Sequence, residues 1–243
     1  MKPSLIILLL LSFAATLASA APQLSGFTAS YTLSKGTLTV GELQRSLTPL
    51  DDGKFKFESA MHVTGLVAVF VKDELSESSV WSYHNEQIRP HTYTYSKTGG
   101  KKKAQLKFDF DWENHLLKNT VAGTEWELLL PTGAQDKISY QLAIMRDLAL
   151  GKTEFEYPIA DKKKFKTYRF KVIGKETLDT PLGSLETIKV QRTMESNAKA
   201  TVLWCAPSLQ YLPVRIEQNE KDGDEFSLLI QSVTGFPAGA KLN

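Results

Sequence analysis

Ala104-Gln105-Leu106-Lys107-Phe108-Asp109-Phe110-Asp111-Trp112-Glu113 decides the fold. Taken two residues at a time, it puts Ala104, Leu106, Phe108, Phe110 and Trp112 on one side and only polar groups on the other. A strand with one buried and one wet face requires that alternation, and a helix of period 3.6 would scatter it. Shorter versions of the pattern occur at 27–33, 36–47, 55–63, 91–95, 125–130, 166–173, 186–192, 214–218 and 225–233. Turn-forming residues separate them: Asp51-Asp52-Gly53, Gly99-Gly100, Asn114-His115, Ala122-Gly123, Asp161-Lys162, Pro181-Leu182-Gly183 and Asp222-Gly223-Asp224. Strand, turn and strand repeat almost throughout, so the expectation is an all-β chain with a long antiparallel sheet. So many consecutive strands must curl, close or split to protect their edges.

One segment, about 135–150, follows a different period. Ile138, Leu142, Met145 and Ala149 are spaced as on a helix face, Asp136 is placed to cap the first turn and Gly151 to end the last. The opposite face carries Tyr140, Ile144 and Leu148, so this helix should be enclosed, packed in or over the opening of a curved sheet. It either plugs the sheet or forms a lid over an apolar cavity.

The start of the chain bears on location. Lys2 precedes an apolar stretch from Leu5 to Leu11, and Ala18-Ser19-Ala20 has the small-residue pattern of a cleavage site. Residues 1–20 therefore read as a secretory signal peptide, which would leave a soluble exported chain beginning near Ala21. No later stretch reaches the roughly 20 apolar residues of a spanning helix. With no linker or low-complexity tract, 21–236 is expected to be one β domain and 237–243 a loose tail. A formal net charge of +2 gives no sign of a nucleic-acid partner. Cys205 is the single cysteine, so no internal disulfide is possible, and its setting between Trp204 and Ala206 favours burial.

Two C-terminal stretches carry a resemblance. Gly174-Lys175-Glu176-Thr177-Leu178-Asp179-Thr180-Pro181-Leu182-Gly183-Ser184-Leu185-Glu186-Thr187-Ile188-Lys189-Val190 pairs a Thr-Pro-Leu-Gly turn with a strand. Leu203-Trp204-Cys205-Ala206-Pro207-Ser208-Leu209-Gln210-Tyr211-Leu212-Pro213-Val214-Arg215-Ile216-Glu217 pairs a tryptophan strand with a Tyr-Leu-Pro-Val-Arg strand. Both resemble segments of a bacterial exported family called domain of unknown function 3108. The resemblance implies a sheet curled into a spiral or incompletely closed barrel, like the lipoprotein carriers of the periplasm in general shape, and a periplasmic location. It implies no activity and transfers no catalytic or binding residue. The segments also have a purely structural explanation, since Gly183 permits a tight turn and Pro213 suits a strand start or edge.

Familiar catalytic signatures are absent: no G-x-S-x-G elbow, no H-E-x-x-H helix, no phosphate-binding glycine loop and no cysteine pair with metal spacing. Asp109, Asp111 and Glu113 mimic the start of a calcium loop, but Asn114 occupies the glycine position and Thr120 the bidentate glutamate position. The histidines His62, His84, His91 and His115 are scattered. No metal, cofactor or catalytic residue is therefore assigned. Lys101, Lys102, Lys103 and Lys162, Lys163, Lys164 are basic runs beside turns; they are either solvated hairpin ends or one rim that meets anionic lipid head groups. The run Gly65-Leu66-Val67-Ala68-Val69-Phe70-Val71 is either a central strand covered on both faces or a protruding partner site.

These features suggest an exported, non-catalytic β protein that holds or hands over a lipid-like or other apolar ligand. Leu66, Phe70, Trp81, Trp112, Trp126, Tyr140, Ile144 and Trp204 are the candidates to line its pocket, although the same aromatics could equally fill the interior. The alternative is a protein-interaction or scaffolding module for envelope integrity, with an envelope protein as partner. An enzyme with a dispersed site comes third.

Overall fold

The computed structural model describes residues 23–65, 68, 73–100, 103–121, 123–193, 201–219 and 225–236. The expected signal peptide, the 237–243 tail, Leu66, Phe70, Lys101 and Lys102 lie outside the described residues. The first half contains β1 (Phe27–Lys35), β2 (Leu38–Pro49), β3 (Lys54–Val63), β4 (Glu74–His84), β5 (Gln87–Thr98), β6 (Ala104–Asp111), β7 (Leu116–Val121) and β8 (Thr124–Leu129). After α1 (Ser139–Ala149) come β9 (Glu154–Asp161), β10 (Lys164–Thr180), β11 (Gly183–Thr193), β12 (Thr201–Ala206), β13 (Leu212–Asn219) and β14 (Glu225–Thr234).

These fourteen strands form one antiparallel sheet in the order β8-β7-β6-β5-β4-β3-β2-β1-β14-β13-β12-β11-β10-β9. Each half is a meander, and β1 pairs with β14 to join them in the middle. The free edges are therefore β8 and β9, the two strands that flank the helix in sequence. Among the described residues no ladder closes the sheet between them, but other contacts bring its edges together. Gln135, just before α1, donates its N–H to Pro158 O (2.8 Å) and accepts from Ala160 N–H (2.9 Å) on β9. The side-chain amide of Asn119 on β7 donates to Lys162 O at the β9–β10 turn (2.8 Å). Lys163 Nζ lies 3.3 Å from the ring centroid of Trp126 on β8. An incompletely closed barrel, as expected, is the outcome.

Residues that the ladders place side by side form rows across the inward face. One row runs Phe27, Leu47, Phe57, Ser79, Tyr93, Phe108, Asn119 and Trp126. On the helix side of that row, Phe55, Trp81 and Tyr83 pack as an aromatic group, with Trp81 stacked on Phe55 at 4.6 Å and edge-on to Tyr83 at 5.1 Å. Leu142, Ile144 and Met145 of α1 are fully buried in the same core. Tyr140 stacks on Phe170 and meets Tyr168 edge-on, both at 5.8 Å, tying the helix to β10. Of the two expectations for α1, the geometry at this end is that of a packed plug.

The start of α1 is fixed by Asp136, which is fully buried. Its Oδ1 accepts the N–H groups of Ile138 (2.9 Å) and Ser139 (2.7 Å), two of the orphan donors every helix start presents. Its Oδ2 accepts the Ser79 hydroxyl of β4 (2.5 Å), and its own N–H donates to Ser139 Oγ (2.9 Å). At the other end Gly151 takes φ 76°, the left-handed conformation that terminates helices cheaply only with glycine. No helix among the described residues is long and apolar enough to cross a membrane.

Cys205 is fully buried, and burial pushes its thiol well above the ordinary range. We expect it to resist a soluble disulfide reagent in the native protein and to react stoichiometrically once denaturant is added, followed by absorbance of the released thiolate. Fast reaction in native buffer would contradict the packing of β12.

Candidate functional site

The inward face changes character along the strands. Toward α1 it is fully buried: Phe57 on β3, Trp81 on β4, Phe108 and Phe110 on β6. Toward the opposite end, inward-facing residues in the same phase are only half-buried: Met61 on β3, Leu75 on β4, Tyr95 on β5 and Leu106 on β6. Ile216 and Leu228, paired on β13 and β14, are half-buried as well. Apolar side chains that point inward yet touch solvent mark a mouth at the end away from the helix.

Polar groups gather between mouth and plug. The row Ala29, Arg45, Ser59, Glu77, Tyr95, Leu106 and Val121 carries them on β2, β3 and β4. Arg45 is only 6% exposed, with its guanidinium 5.5 Å from the Tyr31 ring centroid. Among the described residues its Nε and Nη1 have no hydrogen-bond partner, and neither has the buried Nε of Arg192, Thr201 Oγ1 or Gln141 Oε1. Arg192 pairs in register with Thr201 and lies 4.5 Å from the ring centroid of Tyr168. The Tyr140 hydroxyl lies within electrostatic reach of both Arg45 and Arg192, while burial pushes its pKa up. Glu77 accepts the Tyr93 hydroxyl at 2.5 Å, and burial raises its carboxyl above the usual range. Tyr31 is pushed up to about 12 by burial, against the opposing pull of Arg45.

The aromatic candidates named from the sequence do not converge. Trp81 and Ile144 belong to the packed core around α1. Trp112 lies just beyond β6, donating its indole N–H to Pro90 O (2.7 Å) beneath the Arg89 guanidinium. Trp126 is 40% exposed at the seam between the sheet edges. Trp204 lies on the face opposite its neighbour Leu203, its indole donating to Glu176 Oε2 (3.2 Å) between Lys189 and Arg215. Of the candidates among the described residues, Tyr140 alone reaches the polar interior. Lys103, Lys162, Lys163 and Lys164 are exposed, and the β5–β6 and β9–β10 turns lie at the mouth end.

Arg45 and Arg192, which sequence reasoning missed, do carry a signal. In Leu43-Gln44-Arg45-Ser46-Leu47, the residues Leu43, Arg45 and Leu47 share one phase of a strand, as do Val190 and Arg192. Each arginine therefore stands where alternation calls for an apolar residue.

Among solved structures, the chain is similar to a β-barrel-like protein of domain of unknown function DUF1849 from Brucella abortus. The TM-score is 0.60 at 7% identity, covering 89% of this chain and 100% of the other, a likeness of fold alone. It also matches a candidate lipoprotein from Parabacteroides distasonis ATCC 8503 at 11% identity and a TM-score of 0.35, covering 88% of this chain and 97% of that one. No curated protein matches. The family model described as "Protein of unknown function (DUF3108)" matches residues 27–230, nearly all the strands of the curled sheet, and the chain belongs to that family.

Proposed function

We propose that this protein is an exported, non-catalytic component of the cell envelope that holds a lipid-like molecule in the mouth of its curled sheet. The observation that carries the reading is the set of inward-facing but half-buried apolar residues at the end away from α1, among them Met61, Leu75, Leu106 and Leu228. Apolar side chains on a concave surface gain free energy when a ligand chain removes them from water, at roughly 25 cal/mol per Å². The groove of about 340 Å³ beside α1 is a poorer candidate: it opens outward and carries Glu86, Arg146, Asp147, Glu154 and Glu156. Exposed lysines near the mouth, Lys103 and Lys162 to Lys164, would favour approach to an anionic membrane surface.

Native mass spectrometry and lipid extraction of the purified protein test this. A stoichiometric apolar molecule, released by organic solvent, is the expected result. Protein that carries none and takes up none from mixed-lipid vesicles would overturn it. A second reading, a docking module, is favoured by the β8 edge: Leu129 is 82% exposed, and among the described residues β8 pairs only with β7. A protein partner retained in place of lipid would favour that reading.

A further inference from the structure

We propose that Arg45, together with Arg192, binds the anionic head of an amphiphile whose alkyl chain lies along the apolar rows nearer the mouth. The inference rests on the carrier reading above and specifies its ligand. Arg45 occupies an apolar phase of β2 and is almost wholly buried, yet among the described residues its Nε and Nη1 have no hydrogen-bond partner. A guanidinium withdrawn from water with two of its donor nitrogens left unpaired costs stability, so an apolar residue of similar size would serve the fold better.

Glu77, two strands from Arg45 in the same row, feels its charge, but this carboxylate and that of Asp136 make their hydrogen bonds elsewhere. Glu77 accepts the Tyr93 hydroxyl, and Asp136 accepts Ser79, Ile138 and Ser139. On the other half of the sheet, Arg192 leaves Nε unpartnered beside Thr201, whose hydroxyl is also unpartnered among the described residues. Arg192 lies 4.5 Å from the Tyr168 ring, which meets Tyr140 edge-on at 5.8 Å, and Arg45 lies 5.5 Å from the Tyr31 ring on the other half of the sheet; the Tyr140 hydroxyl is within electrostatic reach of both guanidiniums. A guanidinium's planar array of N–H donors matches carboxylate and phosphate oxygens. Leu43 and Met61, paired on β2 and β3, flank Arg45 on the mouth side and supply an apolar surface for a chain attached to such a head.

Isothermal titration of the purified protein with dodecanoate, dodecyl phosphate, dodecanol, dodecyltrimethylammonium and inorganic phosphate tests the proposal. The two anionic amphiphiles should bind at least about tenfold more tightly than dodecanol or the cationic amphiphile, and Arg45→Met should abolish that preference while leaving dodecanol binding intact. Arg45→Lys should retain part of the preference, and Arg192→Met should weaken it. Arg45→Met should unfold at a temperature no lower than the parent, which separates lost recognition from lost folding. Equal affinity for dodecanol and dodecanoate would overturn the inference and leave the carrier reading standing, as would an undiminished preference in Arg45→Met. Inorganic phosphate binding as tightly as dodecyl phosphate would overturn it too, since the chain would then contribute nothing. Failure of every amphiphile to bind would remove both readings together.

Discussion

Asp136→Ala should destabilise the protein by about 2–5 kcal/mol at neutral pH, measured by urea unfolding. The substitution strands three buried donors: the Ser79 hydroxyl and the N–H groups of Ile138 and Ser139. Each unsatisfied donor costs about 1–3 kcal/mol, and relief from burying a carboxylate offsets part of the sum. The contact also joins α1 to β4, so the plug loses its anchor as well as its cap. Burial outweighs the opposing hydrogen bonds from Ser79, Ser139 and Ile138 and raises the Asp136 pKa from 3.8 to about 6. Between those values the folded protein keeps a proton that the unfolded chain has released, so stability falls as pH rises through this window. The contribution is fully present below the unfolded pKa and lost once pH passes the folded one. A difference of that size corresponds to about 3 kcal/mol. Asp136→Asn should remove this dependence, and Asp136→Ala should therefore cost more in mild acid than at neutral pH. Parallel stability–pH curves for parent and Asp136→Asn would refute the assignment.

Trp81→Ala should cost about 3–5 kcal/mol, the range for removing a large aromatic from a rigid core. Trp81 is fully buried, with Phe55 and Tyr83 against its ring. Its indole N–H has no partner among the described residues, so Trp81→Phe forfeits area but no hydrogen bond and should cost much less. Denaturant midpoints for the two variants check the ranking. A small loss in Trp81→Ala would mean that the aromatic group beneath the helix collapses freely and is not a packed plug.

The strands legible in the sequence are those whose inward positions are mostly apolar, with β6 the clearest. Alternation does not reveal β4, because its inward positions include Glu77 and Ser79 and the pattern breaks where the interior turns polar. It does not reveal β12 for the opposite reason: Val202, Leu203, Trp204 and Cys205 are apolar on both faces, and both faces are covered. In β9, Pro158 argues against a central strand, and β9 is indeed an edge. The helix is legible in period and in its Asp136 cap, but the sequence makes it slightly too long because the capping loop carries the same apolar spacing. The interior arginines show in the sequence as breaks in alternation at Arg45 and Arg192, but that the charge is buried depends on how strands far apart in sequence face one another.

The β1–β14 pairing sets the order in which this chain can be completed during synthesis. The strands from β1 to β8 can zip locally as they emerge, but β14, which covers the open side of β1, follows the other thirteen described strands in the chain. Until then the nascent meander presents a bare pairing edge, the kind of surface that invites aggregation and chaperone capture. Closing so long a loop is slow, so assembly of the sheet should be limited by the meeting of β1 and β14.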